Sequence, residues 1–514
     1  FGLQTSLVFY GLVLQRTLFV LFMTFLRIQA VTFPYNFPGV MGLEYWAHLL
    51  REILWGWPVL AGILLAGIHL SIRTGFLPFT HCIFLTKNTI GSFLKPHKGE
   101  KRKKSSGISP IQALMTALAG SIGTGNIVGV ATALTIGGPG AIFWMWVSAG
   151  IGMTTIWGEA VLAVKYRVKG KDGRFTGGPM YYLERGVGKK GLALLFAAAC
   201  VLASFGMGNM AQSNAIAGAL KEGFDLPPLF TGSIIAVLLF LISAGGLKGT
   251  AKVAEKLVPV MTLGYIGACL AILFFFSGEI LPAFQLIFHD AFSLEAAAGG
   301  VGGTVMLRAM ECGISRGIFT NEAGLGCSVM AYGGSEGTEP GKQACWGILQ
   351  VFIDTILMCT LTALCFLTTG VLSTGKDGAA LSTACFSLLF GPWGEAFVCG
   401  AITLFAFATM IAWSAYGQTA MEYLFGGRFR KAYRLAFAGA AVLGCQLSLT
   451  AVWDLCDSFN GLMAIPNIAA LFLLSGEIVK EKQRCLGPPK KKLRKSRGYD
   501  KIATGAEGPS APGF

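Results

Sequence analysis

The chain has 514 residues, of which 54% are hydrophobic and only 13% are charged, and its mean hydropathy is +0.62. Soluble domains carry roughly 25% charged residues, so this composition excludes an ordinary soluble protein and predicts an integral membrane protein. The formal net charge of +15 does not indicate nucleic-acid binding, because the basic residues cluster in loops between apolar runs.

Charge-free apolar runs follow one another along the chain, and most approach or exceed the roughly 20 residues that cross a bilayer as a helix. They cover residues 53–72, 105–158, 191–220, 226–247, 257–278, 355–375, 396–421, 435–453 and 458–476. The 105–158 run is long enough for two helices separated at residues 137–140, and the shorter 296–307 run, extended past Arg308, adds another. The sequence therefore predicts an all-α polytopic membrane protein with about eleven transmembrane helices in one domain, residues 41–480.

The two ends of the chain differ from this domain. Residues 6–26 are apolar apart from Arg16, so residues 1–40 are either a signal-like segment or a stretch upstream of a biological start at Met41. Residues 481–514 are rich in lysine and arginine, and we expect them to form a basic, disordered tail.

Basic residues recur in every second loop. They lie at 95–104, 165–174, 248–256 and 428–434 and in the C-terminal tail, whereas the intervening loops carry mostly Asp and Glu. Cytoplasmic loops of membrane proteins are enriched in Lys and Arg. We therefore expect a multi-pass protein of a bacterial-type cytoplasmic (inner) membrane with its C-terminus in the cytoplasm.

Two glycine-rich stretches interrupt predicted helices. The first is residues 119–130, within a run that has no charged residue from Ser105 to Gly158, and the second is residues 299–304 in the seventh predicted helix. Non-helical backbone at membrane depth is tolerated only where it is buried in protein or lines a cavity. An offset of five helices gives the two breaks opposite orientations, as in an inverted repeat of five plus five helices with a binding site at the midplane. Close helix packing is the alternative explanation for these glycines.

The first break suits an amino acid and a small cation. The ends of interrupted helices offer N–H groups to a carboxylate and carbonyl groups to a cation, and Ser121, Thr124 and Asn126 add neutral polar groups. Gln212 carries an amide that both donates and accepts, and Thr409 and Trp413, four residues apart, share one helix face. For these three residues, packing or an interhelical hydrogen bond is the alternative.

Other chemistry finds little support. The 13 cysteines form no paired C-x-x-C motif and the five histidines are dispersed, so the sequence indicates no metal centre and no disulfide framework. For the same reason it does not indicate an enzyme. A channel is disfavoured because no ring of filter-like residues repeats along the chain. The ionisable residues Glu159, Arg308, Glu311 and Asp354 lie at or near membrane depth, and the sequence assigns them no partner.

Several motifs resemble the alanine or glycine:cation symporters, also called sodium:alanine symporters. The resemblance covers about residues 50–480 and rests on a tryptophan signature, an Asn-Glu-Ala-Gly element and shorter matches. These are residues 137–146 (GGPGAIFWMW), 159–167 (EAVLAVKYR), 177–182 (GGPMYY), 206–212 (GMGNMAQ), 316–326 (RGIFTNEAGLG), 412–417 (AWSAYG) and 422–426 (EYLFG).

The resemblance implies a leucine-transporter-like fold, one extra helix before the five-plus-five repeat, and Na⁺-coupled uptake of alanine or glycine. It also implies that the substrate is held by Gly123, Thr124, Gly125, Asn126, Gln212, Met306 and Trp413. The backbone carbonyls of Ala119 and Ile122, with Thr409, would bind one Na⁺, and Ser121 and Asn126 are candidates for a second.

The expected partners are a small neutral amino acid, Na⁺ and the lipid bilayer, with no cofactor beyond the coupling ion and with a monomeric chain. Serine as substrate, H⁺ in place of Na⁺ and a broader range of small neutral amino acids remain open alternatives.

Overall fold

The structure is a computed structural model that describes residues 43–94, 107–170, 173–292, 302–336, 339–447 and 449–487. The predicted N-terminal extension, residues 1–40, lies outside the described residues, as do residues 488–514 of the predicted tail. The helix Ser475–Leu486 runs through residue 480, where the transmembrane domain was predicted to end. Glu481 on this helix is buried, and its Oε1 accepts a hydrogen bond from the Gly341 N–H.

The described residues are almost entirely helical, which confirms the all-α polytopic fold. Their α-helices are α1 Leu43–Leu54, α2 Trp57–Thr74, α3 Leu77–Thr80, α4 Cys82–Asn88, α5 Ile90–Leu94, α6 Pro110–Ser121, α7 Val128–Gly137, α8 Gly140–Lys165, α9 Pro179–Arg185, α10 Lys190–Phe205, α11 Ala211–Phe224, α12 Pro228–Ser243, α13 Gly246–Phe275, α14 Ile280–Ala291, α15 Gly302–Asn321, α16 Val329–Gly333, α17 Pro340–Val351, α18 Thr360–Thr368, α19 Gly378–Phe390, α20 Pro392–Phe425, α21 Arg430–Gly444, α22 Leu449–Leu473 and α23 Ser475–Leu486.

Short elements complete the chain path. A two-stranded antiparallel hairpin pairs β1, Val168–Lys169, with β2, Phe175–Thr176. Single 3₁₀ turns lie at Thr124–Asn126, Ser277–Glu279, Val371–Thr374 and Gly426–Phe429, and π-helical segments lie at Gly206–Met210 and Phe352–Cys359. The first π-helical segment joins α10 to α11, and the second joins α17 to α18, so each lies inside a long helical stretch. Such π turns inside α-helices are frequent at functional sites.

Seven helical stretches within the described residues are long and apolar enough to cross a membrane. They are 49–74, 140–165, 190–224, 246–275, 340–368, 392–444 and 456–473. The 392–444 stretch contains both α20 and α21, and α7, α12 and α19 are shorter apolar helices. The number of eleven membrane crossings stays a prediction.

Both interrupted helices predicted from the sequence exist, although the second break lies elsewhere than predicted. The first interrupted stretch is α6 and α7, and the second is α15 and α16. Four apolar stretches lie between them: 140–165, 190–224, 228–243 and 246–275. If each stretch crosses the membrane once, the two interrupted helices run in opposite directions, as an inverted repeat requires.

Small residues bring the second interrupted helix against α8. A Cβ at Gly313 of α15 would lie 2.1 Å from the Ala141 carbonyl oxygen, and one at Gly317 would lie 2.3 Å from Ser148 Oγ. Two glycines four residues apart therefore form a flat face along which α15 approaches α8, as small residues do between membrane helices. This packing fixes the position of α15 just before its break.

Candidate functional site

The first break begins where the hydrogen-bond ladder of α6 ends. The Ile122 N–H donates to the Leu118 carbonyl at 2.7 Å, but the next N–H, that of Gly123, donates to Asn126 Oδ1 at 3.0 Å. The ladder therefore stops short of the Ala119 carbonyl. Thr124 and Asn126 in the following 3₁₀ turn are fully buried, so this break is enclosed by protein.

Asn126 also ties the first break to a distant helix. Its Nδ2 donates to the Asp354 backbone carbonyl at 3.0 Å and to Asp354 Oδ1 at 2.9 Å. Asp354 lies in the π-helical segment Phe352–Cys359, is fully buried, and accepts a further hydrogen bond from Thr355 Oγ1 at 2.8 Å. The structure thus gives Asp354 the partner that the sequence did not.

Three elements meet at Gly123. A Cβ at this position would lie 2.5 Å from Thr409 Oγ1 and 3.6 Å from Gln212 Oε1, so only glycine fits without displacing a neighbour. Thr124 Oγ1 donates to Gln212 Oε1 at 3.1 Å, and Gln212 Nε2 donates to the Met207 carbonyl in the adjacent π turn at 3.2 Å. The structure therefore brings together the predicted residues of the first break, α11 and α20.

Trp413 lies one helical turn after Thr409 on α20. Its Nε1–H donates to Glu322 Oε1 at 2.8 Å, and a Cβ at Gly208 would lie only 2.4 Å from Trp413 Cβ. The indole is fully buried, with Gly208 at its base and Glu322 at its N–H. Trp413 therefore connects α20 to the second break through Glu322, a residue that the sequence analysis did not single out.

The second break was predicted at 299–304, and the structure places it at 322–328, between α15 and α16. Residues 299–301 lie outside the described residues, whereas Gly302, Gly303 and Thr304 form the first turn of α15. In the observed break Glu322, Gly324 and Gly326 have φ of 60°, 95° and 78°. Positive φ at three nearby positions cannot continue a right-handed helix.

The sequence did carry a signal for this break. Gly324-Leu325-Gly326 repeats the Gly-x-Gly spacing of residues 123–125, and the polar pair Asn321-Glu322 precedes it. The density of glycines at 299–303 was the more conspicuous pattern and led to the wrong position.

Met306, which was predicted to line the substrate site, lies near the end of α15 that is farther from the second break. A Cβ at Gly125 would lie 2.6 Å from Thr320 Cγ2 and 3.6 Å from Phe319 Cδ1, so the C-terminal end of α15 faces the first break. Met306 precedes Thr320 by 14 residues, which is about 21 Å along an α-helix. On α15 the structure therefore places Phe319 and Thr320 beside the first break, and the role expected for Met306 stays a prediction.

The candidate cation ligands lie on the residues just before Gly123 and on α20, and Thr409 Oγ1 approaches Gly123. Ser121 Oγ is buried, and no group in the described part of the chain hydrogen-bonds to it. Thr409 Oγ1 donates to the Phe405 carbonyl at 3.1 Å, which leaves its lone pairs available on the side of Gly123. Together with the backbone carbonyls of Ala119 and Ile122, these are the neutral oxygen ligands that suit a hard monovalent cation. Among the described residues no three His, Cys, Asp or Glu side chains group as a metal centre.

Glu159 supports the second break from outside. It is fully buried on α8 and accepts a short hydrogen bond from Asn467 Nδ2, which also donates to the Gly324 carbonyl at 2.8 Å. Tyr182 Oη donates to Asn467 Oδ1. Arg308 and Glu311, by contrast, are exposed on α15. Of the four ionisable residues without a predicted partner, Glu159 and Asp354 therefore contact the breaks.

Comparisons with known proteins point to one family. Residues 41–496 match the model of the sodium:alanine symporter family. The sodium/alanine symporter AgcS of Methanococcus maripaludis is 41% identical over 84% of this chain and 95% of its own length. An uncharacterized transporter of Haemophilus influenzae is 40% identical over 86% of this chain and 96% of its own length.

A solved structure shares the fold. A Na⁺-coupled sialic acid symporter in a substrate-bound, outward-open state superposes with a TM-score of 0.51 at 15% sequence identity. The superposition covers 85% of this chain and 86% of that one. The family match, the relatives and the paired helix breaks lead to one conclusion: the chain is a membrane transporter that belongs to the sodium:alanine symporter family.

Proposed function

We propose that this protein is a secondary active symporter that couples inward movement of Na⁺ to uptake of alanine or glycine by alternating access. The observation that carries the proposal is the junction at Gly123, where Thr409 Oγ1 and Gln212 Oε1 approach the interrupted backbone beside the unpartnered Ser121 Oγ. Such a junction offers dipoles and neutral oxygens, which is what a zwitterion and a monovalent cation need in a dry site.

The substrate carboxylate binds the backbone N–H groups of residues 123–126, where the positive end of the α7 dipole adds to the attraction. Gln212 lies beside Thr124 and can hydrogen-bond the same carboxylate or the substrate amino group. The substrate side chain points toward Trp413, whose fully buried indole closes that side of the site. This supports alanine, glycine or serine over larger amino acids.

The coupling ion binds next to the substrate. One Na⁺ site consists of the Ala119 and Ile122 carbonyls with Thr409 Oγ1, and the second uses Ser121 and Asn126. Na⁺ and the substrate order the same break, so Na⁺ tightens substrate binding, and the substrate must tighten Na⁺ binding by the same factor because linkage between two sites is reciprocal.

Proton coupling is the second candidate, and Asp354 is the observation that favours it. This fully buried carboxylate contacts Asn126 and can carry a proton at the point where the second cation is proposed.

The orientation of the protein in the membrane follows from the basic loops, which we assign to the cytoplasmic face together with the C-terminus.

Uptake into proteoliposomes tests the proposal. The reconstituted protein is given labelled alanine with an inward Na⁺ gradient, with the same gradient of K⁺, and with an inward proton gradient without Na⁺. We expect accumulation above the external concentration only with Na⁺. Accumulation driven by the proton gradient alone would establish the second candidate, and flow that only equilibrates alanine under every gradient would refute symport.

A further inference from the structure

A buried hydrogen bond that the proposed function does not use joins Glu322 to Trp413. Glu322 Oε1 accepts the indole N–H at 2.8 Å, and both side chains are fully buried. An indole has a single hydrogen-bond donor, so this bond satisfies all of its polar capacity. The other carboxylate oxygen, Oε2, accepts from Cys327 Sγ at 3.2 Å within the same break.

The backbone of Glu322 is held in a conformation that its side chain does not favour. Its φ is 60°, in the left-handed region where residues other than glycine are uncommon. Residues in such conformations persist where their surroundings over-determine them, and they cluster at functional sites. Here the conformation directs the carboxylate out of the second break toward α20.

The indole is held at both ends. Gly208 leaves no space for a Cβ against Trp413 Cβ and Cγ, at 2.4 and 2.5 Å. Gln212 lies four residues after Gly208 on the same face of that helical stretch, and it contacts Thr124. Thr409 is likewise four residues from Trp413 and lies at Gly123. The ring is therefore one helical turn from the candidate substrate site, and it is fixed at its base by Gly208 and at its N–H by Glu322.

We propose that Glu322 is a positioning residue that holds the Trp413 indole against the amino acid site and thereby sets the upper size limit of the substrate side chain. The inference rests on the proposed function, since it concerns the same site. Rotating the indole away would leave a buried N–H and a buried carboxylate oxygen without partners, which is costly in a protein interior. While the bond is intact, the wall does not yield to a larger side chain.

Removing the bond allows the indole to turn and enlarges the site. A hydrophobic pocket distinguishes side chains that differ by one methylene by about 10- to 200-fold. We expect Glu322→Ala to raise the affinity for valine relative to alanine by about tenfold or more, mainly by improving valine binding. Glu322→Gln keeps an oxygen that can accept the indole N–H, so its affinity for valine relative to alanine should stay close to that of the wild type.

The measurement is competition by glycine, alanine, 2-aminobutyrate, valine and leucine against labelled alanine bound to the purified full-length protein in the presence of Na⁺. Substitution of Trp413 with an analogue that carries sulfur in place of the indole N–H removes the donor while keeping the ring. It should shift the ratio as Glu322→Ala does, and combining the two changes should add nothing further. The same analogue at Trp157, whose Nε1 donates to the Gly341 carbonyl at 3.3 Å, is the matched control, with Glu311→Ala on α15.

Failure of this proposal is distinct from failure of the proposed function. If the wild-type protein shows no Na⁺-dependent binding or uptake of alanine, the proposed function fails. If wild type binds alanine and the sulfur analogue at Trp413 leaves the size profile unchanged, the positioning role is overturned, even where Glu322→Ala does not fold. An equal shift from the Trp157 control would also overturn it.

Discussion

Substitution of Gly123 by alanine tests the arrangement of the first break. The φ of Gly123 is −132°, which alanine adopts readily, so backbone strain does not enter. The added Cβ would lie 2.5 Å from Thr409 Oγ1, whereas ordinary contacts begin near 3.4 Å. Thr409 must therefore move by about 0.9 Å, or the break must open by the same amount.

The displaced atom is a proposed Na⁺ ligand, so the cost should fall on ion binding. Overpacking of this kind costs about 1–3 kcal/mol, which corresponds to about a 5- to 150-fold change in a binding constant. We expect Gly123→Ala to raise the Na⁺ concentration for half-maximal alanine uptake by a factor within that range. The assay is initial uptake into proteoliposomes across a series of Na⁺ concentrations, with melting of the detergent-solubilised protein as a check on folding.

Gly129 provides the control on the same interrupted stretch. It lies in α7, and among the described residues no atom beyond its own helical turn lies within 4 Å of a Cβ placed there. Gly129→Ala should leave the Na⁺ dependence unchanged and raise the stability by about 0.5–1 kcal/mol, because alanine loses less backbone entropy in a helix. A Gly123→Ala protein with wild-type Na⁺ dependence would refute the placement of Thr409 in the cation site.

Three further changes probe separate parts of the molecule. Thr409→Val keeps the shape of the side chain but removes Oγ1. We expect it to raise the Na⁺ concentration for half-maximal alanine uptake by at least about tenfold, and an unchanged concentration would remove Thr409 from the site. Gly461→Ala places a Cβ 1.7 Å from the Leu54 carbonyl oxygen, so we expect the free energy of unfolding to fall by about 3 kcal/mol or more. An unchanged melting temperature would contradict the packing of α1 on α22. A hydrogen bond from Lys165 lowers the pKa of Glu477 below its usual range, so the stabilisation is present at neutral pH and disappears as the pH falls through that pKa. Lys165→Ala should therefore reduce the free energy of unfolding at neutral pH by less than about 1 kcal/mol, seen as a slightly lower melting temperature, and should have no effect in acid; an equal loss at both pH values would count against this ion pair.

Local patterns in the sequence were sufficient for the membrane fold and for the first break. The absence of charge over residues 105–158 together with the glycines at 123, 125 and 129 marks an interruption that a lipid-exposed helix does not tolerate. Thr409 and Trp413 were correctly placed on one face of a helix, because a spacing of four residues fixes this in any α-helix.

The same local patterns do not predict contacts between segments that are distant in the sequence. Asn126 and Asp354 are 228 residues apart, and Asn467 contacts Glu159 across 308 residues. The second break was misplaced because glycine content alone does not distinguish a helix start from a helix interruption. That distinction depends on φ, which Glu322 adopts against its own preference and which tertiary contacts impose.

The Asn126 side chain has a consequence for the order of events in the proposed transport cycle. Its Oδ1 accepts the Gly123 N–H, so a substrate carboxylate that takes this N–H competes with Asn126 and frees Oδ1 for a cation. Whichever ligand arrives first breaks the bond, at a cost of about 1 kcal/mol, and the second ligand binds without that cost. At equilibrium, a single side-chain hydrogen bond therefore makes the second ligand bind about fivefold more tightly than it would if it had to break that bond itself.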